Sequence, residues 1–324
     1  MYLSSIISFF ILYLIFKYFA KYLKLLDYPS IRKNHEGNVP LVGGIIIYFN
    51  VLIFFVFQEN TYYFNIIFLT TSILLILGCI DDAIGLGVIF RLVTQLICCL
   101  IIIGSGLTIT DIGNYSFFPN FEIGILSIIF TVFCVIGLTN AFNFIDGIDG
   151  LCSGLFLISI LTLLFFSYNS GSLFLILDIN TIYILIISTV LFLVLNFSKS
   201  FKIFLGDAGS MTLGFLISWM LIMYTQVYDI IHPVLTLWCV SIPTFDLISV
   251  IFRRLLRKKN PFKPDRRHIH HILLNLGLSN VLVVGLILII AIVVNYFGFI
   301  MFNFFGSSVS LITYFILFII YFYL

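Results

Sequence analysis

The stretch Asn140-Ala-Phe-Asn-Phe-Ile-Asp-Gly-Ile-Asp-Gly150 lies between two long apolar runs. It contains two carboxylates, Asp146 and Asp149, and a glycine follows each of them. Residues three apart share one face of a helix, but these glycines favour a turn in which the backbone can approach a ligand closely. Similar acidic segments occur at Asp81-Asp82, at Asp207 and around Asp265. We expect the four segments to meet on one side of a membrane and to form an acidic, metal-binding site.

The composition is that of an integral membrane protein. Hydrophobic residues make up 62% of the 324 residues, charged residues make up 9%, and the mean hydropathy is +1.22. A soluble domain carries about 25% charged residues, and about 20 apolar residues cross a bilayer as a helix. Met1–Leu26 starts without a basic segment and lacks a small-residue cleavage site. We therefore interpret it as a retained first span and not as a signal peptide.

Apolar runs predict an all-α bundle of about eleven transmembrane helices, with ten as the alternative. We expect residues 1–324 to form a single domain, because no internal repeat and no Pro- or Ser-rich linker is present. The six cysteines lie in or beside apolar runs without Cys-x-x-Cys spacing, so we interpret them as buried small side chains. The runs are 2–23, 41–57, 63–80, 88–107, 121–140, 151–167, 181–197, 209–228, 231–252, 281–302 and 308–323.

The charges divide the loops into two sets. If the helices alternate in direction, one set comprises 24–40, 81–91, 141–150, 198–208 and 253–280. All 16 Lys and Arg residues lie in these loops or in the adjoining helix ends, and the other set holds only acidic charges. The positive-inside rule places the basic set, with all four acidic segments, in the cytoplasm. An odd number of spans then puts the N-terminus outside and the C-terminus inside.

The first cytoplasmic loop contains Arg32, Lys33 and His35, followed by the glycine pair Gly43-Gly44. Basic residues beside a span often serve only as topology anchors. The glycines are expected to open a helix, however, and free N–H groups at a helix start favour an anion. Contact with a phosphate is therefore the alternative interpretation.

Asp81 and Asp82 end the third predicted helix. Neighbouring carboxylates repel unless a cation or a shared proton compensates them, so both are candidates for metal ligands or for a base. A helix cap at the interface is the alternative, and Arg91 either pairs with them or holds a phosphate. Asp207 stands between glycines where the eighth helix starts, and Ser210 is a candidate cap. A cap does not require flanking glycines, so the pattern favours a functional role for Asp207.

The last cytoplasmic loop combines Arg266 with His268, His270 and His271. No cysteine accompanies the histidines, and the neighbouring side chains of His270 and His271 are expected to diverge, so a zinc site is disfavoured. A pyrophosphate-binding patch fits better, because Arg and His donate to anionic oxygens. A basic patch for the lipid surface leaves the histidines unexplained. Asp246, inside the ninth helix, either marks a functional site or pairs with an arginine.

Carboxylates and a basic, histidine-bearing loop on one face indicate a reaction class. Hard carboxylate ligands suit Mg²⁺, or Mn²⁺, which completes its coordination with substrate phosphates. Basic side chains stabilise the charge on a transferring phosphoryl group, and the membrane position implies a lipid substrate. The residues therefore predict metal-dependent phosphotransfer from a soluble phosphorylated donor to a lipid phosphate.

Three motifs resemble those of the polyprenyl-phosphate N-acetylhexosamine-1-phosphate transferases, glycosyltransferase family 4. They are Asn-Ala-x-Asn-x-x-Asp-Gly-x-Asp-Gly-Leu at 140–151, Asp81-Asp82, and Phe-Leu-Gly-Asp-Ala-Gly-Ser at 204–210. The resemblance extends from the first cytoplasmic loop to His271. The segment 196–202 lacks the Pro-Ala pair usual in the family.

The first and last cytoplasmic loops narrow the resemblance to one branch of the family. Arg32-Lys33-x-His35 and Asp265-Arg-x-His-Ile-His-His271 are similar to the branch that acts on UDP-GlcNAc and undecaprenyl phosphate. That branch implies a bacterial inner-membrane enzyme whose site faces the cytoplasm. It implies transfer of GlcNAc-1-phosphate to undecaprenyl phosphate with release of UMP, as the first membrane step of a cell-surface polysaccharide such as O-antigen. Donors with a deoxy or diamino sugar, or UDP-MurNAc-pentapeptide, stay open.

The resemblance also implies residue roles. Asp207 and Asp82 would bind the metal, Asp81 would deprotonate or orient the lipid phosphate, and Asp146 and Asp149 would hold the nucleotide or support the metal. No nucleic-acid partner is expected, and a homodimer is left open. The residues implied to bind substrate are Arg32, Lys33, His35, Arg91, Asn140, Asn143, Asn196, Arg266, His268, His270 and His271.

Two other classes of protein account for less of the pattern. A transporter or flippase of a lipid-linked or anionic solute would place polar residues near the bilayer midplane, in broken helices. Here the acidic residues cluster at helix ends on one face. A non-catalytic scaffold does not require paired carboxylates.

Overall fold

The computed structural model describes residues 1–29, 37–117, 122–171, 178–258 and 268–323. Five residues singled out above lie outside these ranges, namely Arg32, Lys33, His35, Asp265 and Arg266, so their predicted roles stay predictions. Within the described ranges the regular structure is almost entirely helical, which confirms the all-α prediction.

The described residues form twelve α-helices and one short β-ladder. The strands β1 (Leu26–Asp27) and β2 (Val39–Pro40) pair antiparallel, with Leu26 opposite Pro40. The helices are α1 (Tyr2–Phe19), α2 (Gly43–Phe55), α3 (Tyr62–Ile84), α4 (Val88–Gly104), α5 (Ser127–Ile145), α6 (Leu151–Asn169), α7 (Ile179–Phe197), α8 (Gly206–Gln226), α9 (Pro233–Cys239), α10 (Ser241–Leu256), α11 (Ile269–Asn275) and α12 (Asn280–Tyr323).

The helices are those of a multi-pass membrane protein. Among the described residues, seven helices are long and apolar enough to cross a bilayer, and α9 with α10, bent by 80°, gives an eighth. The helices α2 and α4 are apolar but shorter. The 44-residue α12 consists of two helical segments that meet at Gly306 (φ 82, ψ 175), where the backbone leaves the helical conformation.

The predicted apolar runs fall on these helices. The run at 231–252 corresponds to α9 and α10, and the last two runs both lie in α12. The short helix α11 was not predicted, because its seven residues lie in a polar loop. The count of eleven spans stays a prediction.

The chain folds into two compact units. The first unit comprises Met1–Ser105 and Phe174–Leu216, and the second comprises Gly106–Leu173 and Ile217–Leu324. The expectation that residues 1–324 form a single domain stays a prediction.

In the first unit, glycines let three helices approach closely. A Cβ atom on Gly44 of α2 would lie 2.1 Å from the Cα of Gly209, and one on Gly78 of α3 would lie 2.2 Å from the Cα of Ala208. Distances this short are incompatible with any side chain larger than hydrogen at Gly44 and Gly78. The start of α8 is therefore packed directly against the backbones of α2 and α3.

The N–H groups that open α2 are occupied by the protein itself. The Gly43 N–H donates to the Phe204 carbonyl at 2.9 Å, and the Gly44 N–H donates to the Leu205 carbonyl at 3.0 Å. The prediction that these two groups attract an anion is therefore wrong, although the glycines do open a helix. Their role is to bring the segment before α8 against the start of α2.

In the second unit, α9, α10, α6 and α12 share buried polar contacts. The Asn295 amide lies 3.0 Å from the hydroxyls of both Ser241 and Thr162, and Trp238 Nε1 donates to Ser310 Oγ at 2.9 Å. Polar side chains between membrane helices stabilise their association because hydrocarbon offers no other partner. These contacts hold the bend between α9 and α10 against α12.

Candidate active site

The first unit brings together Asp81, Asp82, Arg91 and Asp207, which we call the carboxylate cluster. Asp81 and Asp82 lie in the last turn of α3, Arg91 in the first turn of α4, and Asp207 in the first turn of α8. The close packing of α3 on α8 places the three carboxylates near one another. Two of the four predicted acidic segments therefore meet within this unit.

Asp82 caps helix α8 from another helix. Its Oδ1 accepts from the Asp207 N–H at 2.9 Å and its Oδ2 accepts from the Ala208 N–H at 3.1 Å. Gly206 has φ +77, and a Cβ there would lie 2.5 Å from Asp82 Oδ2. Ser210 is not the cap, contrary to prediction, because its Oγ donates to the Gly206 carbonyl at 3.2 Å inside the helix. The alternative that the aspartate pair forms a helix cap is therefore confirmed for Asp82, but the helix that Asp82 caps is α8 and not its own helix α3.

Arg91 bridges the other two carboxylates. Its Nη1 lies 3.0 Å from Asp81 Oδ2 and 3.5 Å from Asp207 Oδ2. Asp81 Oδ1 also accepts from the Leu86 N–H at 2.5 Å. The contact with Asp81 Oδ2 is an ion pair without hydrogen-bond alignment, because that buried oxygen has no aligned donor among the described residues. Pairing of Arg91 with the aspartates is confirmed, and its contact with a phosphate stays a prediction.

The carboxylate cluster fits a hard divalent cation by charge and by ligand type. Three carboxylates face one guanidinium, and the Asp207 side chain is 39% exposed whereas that of Asp81 is 4% exposed. The described residues contain no group of three or more His, Cys, Asp or Glu arranged around one metal position. Mg²⁺ commonly takes only one or two protein carboxylates and completes its shell with water and phosphate oxygens.

In the second unit, residues 146–150 form the predicted turn. Helix α5 ends at Ile145 and α6 begins at Leu151, so Asp146 and Asp149 both lie between helices. Gly150 has φ +77 immediately before α6, a conformation that costs glycine little. In this turn a glycine follows each carboxylate directly, and Ile148 lies between the two pairs.

The three asparagines among the candidates have backbone contacts. Asn140 Nδ2 donates to the Ile136 carbonyl within α5 at 2.8 Å, and the Asn143 carbonyl accepts from the Asp146 N–H at 3.4 Å. In the first unit, Asn196 Nδ2 donates to the Ile203 carbonyl at 2.8 Å. Asn140 and Asn143 lie near the end of α5 and Asn196 near the end of α7, and binding of substrate by the asparagines stays a prediction.

A second group in this unit, which we call the histidine cluster, comprises Asp246, His268, His270 and His271. Asp246 in α10 is 2% exposed, and its Oδ2 lies 2.6 Å from His268 Nδ1. Among the described residues its ionic partner is therefore a histidine and not an arginine, and the functional role of Asp246 stays a prediction. His268 is the residue immediately before α11.

His270 is enclosed by its neighbours. It is 0% exposed, and a Cβ atom on Gly147 would lie 2.4 Å from its Nε2. Burial, with a smaller effect of neighbouring His271, lowers the pKa of His270 to about 3, so its ring is neutral at physiological pH. The rings of His270 and His271 are 4.1 Å apart, so the expectation that they diverge is wrong.

Sequence reasoning missed two features of the histidine cluster. One is the contact of Asp246 with His268, which are 22 residues apart. The other is Tyr321 near the end of α12, whose hydroxyl donates to Asp246 Oδ1 at 3.0 Å. The only signal was that an acid inside a membrane helix needs a partner, and nothing in the sequence identified that partner.

Comparison with known proteins identifies the family to which this sequence is similar. Residues 63–225 match the model of glycosyl transferase family 4, a region that contains Asp81, Asp82, Asp207 and the Asp146–Gly150 turn. Three similar proteins are each described as an undecaprenyl-phosphate alpha-N-acetylglucosaminyl 1-phosphate transferase. The one from Yersinia pestis is 33% identical over 79% of this chain and 71% of its own length. Those from Escherichia coli K12 and Haemophilus influenzae are each 31% identical, over 86% and 81% of this chain and 77% and 75% of their own lengths.

Proposed function

This chain belongs to glycosyl transferase family 4, and on that premise we propose that it transfers N-acetylglucosamine-1-phosphate from UDP-GlcNAc to undecaprenyl phosphate. The products are undecaprenyl-diphosphate-GlcNAc and UMP. The observation that carries the proposal is the carboxylate cluster, in which three carboxylates face one arginine at the ends of membrane helices. Carboxylate oxygens are the ligands that Mg²⁺ prefers, so this group supports a role in handling a metal-bound diphosphate.

The reaction exchanges one phosphoanhydride bond for another. A phosphate oxygen of the lipid attacks the sugar-linked phosphorus of UDP-GlcNAc, the bond between the two phosphorus atoms of the donor breaks, and UMP leaves. In this proposal Asp81 orients the lipid phosphate or accepts its proton, and Arg91 keeps Asp81 and Asp207 in place. Asp146 and Asp149 hold the nucleotide, and Asn140, Asn143 and Asn196 each contribute to substrate binding.

A divalent cation belongs to the proposal. Asp207 and Asp82 would hold Mg²⁺ or Mn²⁺, which when bound supplies positive charge to the diphosphate of the donor. Asp207 is the better exposed of the two, and both oxygens of Asp82 already accept backbone hydrogen bonds. We therefore assign the larger share of metal binding to Asp207.

We further propose that the protein lies in the inner membrane of a bacterium with its site facing the cytoplasm. The support is the distribution of charge, since all Lys and Arg residues lie in one set of loops and helix ends. Both substrates are then reachable, because UDP-sugars are soluble and the phosphate of the lipid lies at the membrane surface. The reaction would begin the assembly of a cell-surface polysaccharide.

The test is a UMP-release assay on detergent-purified protein with Mg²⁺ and undecaprenyl phosphate. UDP-GlcNAc, UDP-GalNAc and UDP-MurNAc-pentapeptide are offered in parallel, with an EDTA control and a control without lipid. We expect release of UMP from UDP-GlcNAc that requires both lipid and metal. Preference for another donor would replace the sugar in the proposal. Folded protein that is silent with every donor would contradict the transferase and favour a transporter.

A further inference from the structure

The buried carboxylate of Asp246 joins three elements of the second unit that are distant in sequence. It lies in α10, and its Oδ2 is 2.6 Å from His268 Nδ1. Its other oxygen accepts the Ile269 N–H, at the start of α11, at 2.9 Å and the Tyr321 hydroxyl, from α12, at 3.0 Å. A carboxylate that is 2% exposed is costly unless its lone pairs are satisfied, and here three donors satisfy it.

This arrangement determines how the His268 ring is presented. Oδ1 of Asp246 is occupied by a backbone N–H and a hydroxyl, so Oδ2 is the acceptor for the ring, and Nδ1 carries the hydrogen. Any further proton that the ring gains then goes to Nε2. A carboxylate behind a histidine fixes its tautomer and ring orientation in many catalytic and metal-binding sites.

We infer that Asp246 is a positioning residue that holds His268 with Nε2 presented to the anionic oxygens of the donor diphosphate, and that Tyr321 supports Asp246 in this role. The inference rests on the proposed function, since the diphosphate is that of the UDP-sugar. It assigns a role to Asp246 of α10 and Tyr321 of α12, neither of which is among the predicted substrate-binding residues. A ring held in this way can donate a charged hydrogen bond, which is stronger than a neutral one.

Asp246→Asn changes the tautomer of His268 but preserves the shape of the side chain at position 246. The amide oxygen must occupy the Oδ1 position, because the Ile269 N–H needs an acceptor there. The amide NH₂ then faces His268 and donates to Nδ1, so the single ring hydrogen moves to Nε2. The neutral ring still donates from Nε2, but it can no longer take up a second proton at Nδ1. We therefore expect kcat for UMP release to fall by about 10- to 100-fold, with a smaller change in the KM for UDP-GlcNAc.

A double-mutant cycle separates positioning from a merely structural role. If Asp246 acts through His268, Asp246→Asn should cause no further loss of kcat in a His268→Gln background. An equal, additional loss in that background would overturn the inference, and so would full activity of Asp246→Asn alone. Should Asp246→Asn not fold, the same cycle is run with Tyr321→Phe, for which we expect a loss of about 2- to 10-fold that vanishes in His268→Gln.

The chain offers a matched control on the same pair of helices. Tyr314 of α12 shares a hydrogen bond of 2.9 Å with Thr244 of α10 and contacts neither Asp246 nor His268 through its hydroxyl. Tyr314→Phe removes a comparable buried hydroxyl, and we expect it to leave kcat unchanged. If Tyr314→Phe lowers kcat as much as Tyr321→Phe, the effect belongs to helix packing and the inference fails.

A spectroscopic measurement tests the inference without turnover. In protein labelled with ¹⁵N-histidine, with the His268 signals identified by their loss in His268→Gln, we expect Nδ1 of His268 to carry the hydrogen in the native protein. In Asp246→Asn we expect the hydrogen on Nε2. The same tautomer in both proteins would overturn the inference. Absence of UMP release by native protein would instead contradict the proposed function, so the two failures are distinguishable.

Discussion

Asp207 in the first turn of α8 and Asp246 in the interior of α10 are both acidic side chains of a membrane protein, but their surroundings differ. Asp207 is 39% exposed in its side chain, and the cationic group beside it is Arg91, at 3.5 Å and shared with Asp81. Asp246 is 2% exposed and accepts hydrogen bonds from a histidine, a backbone N–H and a tyrosine. The carboxylate of Asp207 is accessible to solvent, and that of Asp246 is enclosed and hydrogen-bonded on both oxygens.

The difference separates two tasks that an active site must perform. Among the described residues the carboxylate cluster contains three carboxylates and one guanidinium, and its Asp207 is accessible to a cation from solution. The histidine cluster needs no such ion, because the protein supplies the donors for Asp246 and keeps His270 neutral by burial. The first cluster is suited to binding a metal and the second to orienting a side chain.

The largest expected effect concerns Asp207, because it is the more exposed of the two proposed metal ligands and both oxygens of the other, Asp82, accept backbone hydrogen bonds. Asp207→Asn should lower kcat for UMP release by about 10²- to 10³-fold, the range found when one preorganised electrostatic group is removed. The thermal unfolding midpoint should change little, because the backbone N–H that Asp82 accepts is retained. Both quantities are measured on purified protein across a range of Mg²⁺ concentrations.

Asp229→Asn is the matched control for Asp207→Asn. Asp229 is exposed, lies in the loop set without basic residues and has φ 50, a conformation that asparagine also tolerates. We expect its activity and Mg²⁺ dependence to equal those of the native protein. Full turnover in Asp207→Asn would remove the distinction between the two clusters and the metal assignment with it.

The sequence was informative where a signal is local. Each apolar run fell on a helix, and the glycines after Asp146 and Asp149 correctly predicted a turn, because both features depend on neighbouring residues. The cap on α8 was not predictable, because Asp82 and the Asp207 N–H that it accepts are 125 residues apart.

Two interpretations failed for the same physical reason. Ser210 had the right position for a local cap, and Gly43-Gly44 had the right position for an anion site, but distant groups occupy the helix starts concerned. Competition between a local and a distant partner is decided by packing, and packing leaves no periodic pattern in the sequence. The identity of a buried partner, such as Tyr321 for Asp246, is hidden in the same way.

The neutral state of His270 gives the second prediction, an acid-dependent loss of stability from the histidine cluster. Burial lowers the pKa of His270 from 6.5 to about 3, so below pH 6.5 the unfolded chain takes up a proton that the folded protein does not. Stability is therefore fully present above pH 6.5 and falls as the pH decreases toward 3. Between pH 7 and pH 5 the loss should be on the order of 2 kcal/mol.

His270→Met tests this prediction, since methionine adapts to a buried site and does not titrate. We expect the thermal unfolding midpoint of the variant to depend less on pH between 7 and 5 than that of the native protein. The pKa of His232 is also lowered by burial, but His232 is present in both proteins and cancels in the comparison. Identical pH profiles would mean that His270 is solvated or paired, and the two clusters would then be more alike than the structure indicates.

The smallest effect is expected for Asp82. It belongs to the carboxylate cluster, but, like Asp246, it has hydrogen-bond partners in the protein on both oxygens. Asp82→Asn retains one acceptor oxygen, so either the Asp207 N–H or the Ala208 N–H loses its partner. Loss of a helix cap costs about 1 kcal/mol, and we expect a lower unfolding midpoint that Asp229→Asn does not show. The midpoint is measured without Mg²⁺ and without substrates, so that metal binding does not contribute to it. An unchanged midpoint would contradict the capping role, whereas a lowered one would make Asp82 the residue that fixes the start of α8 and, through it, the position of Asp207.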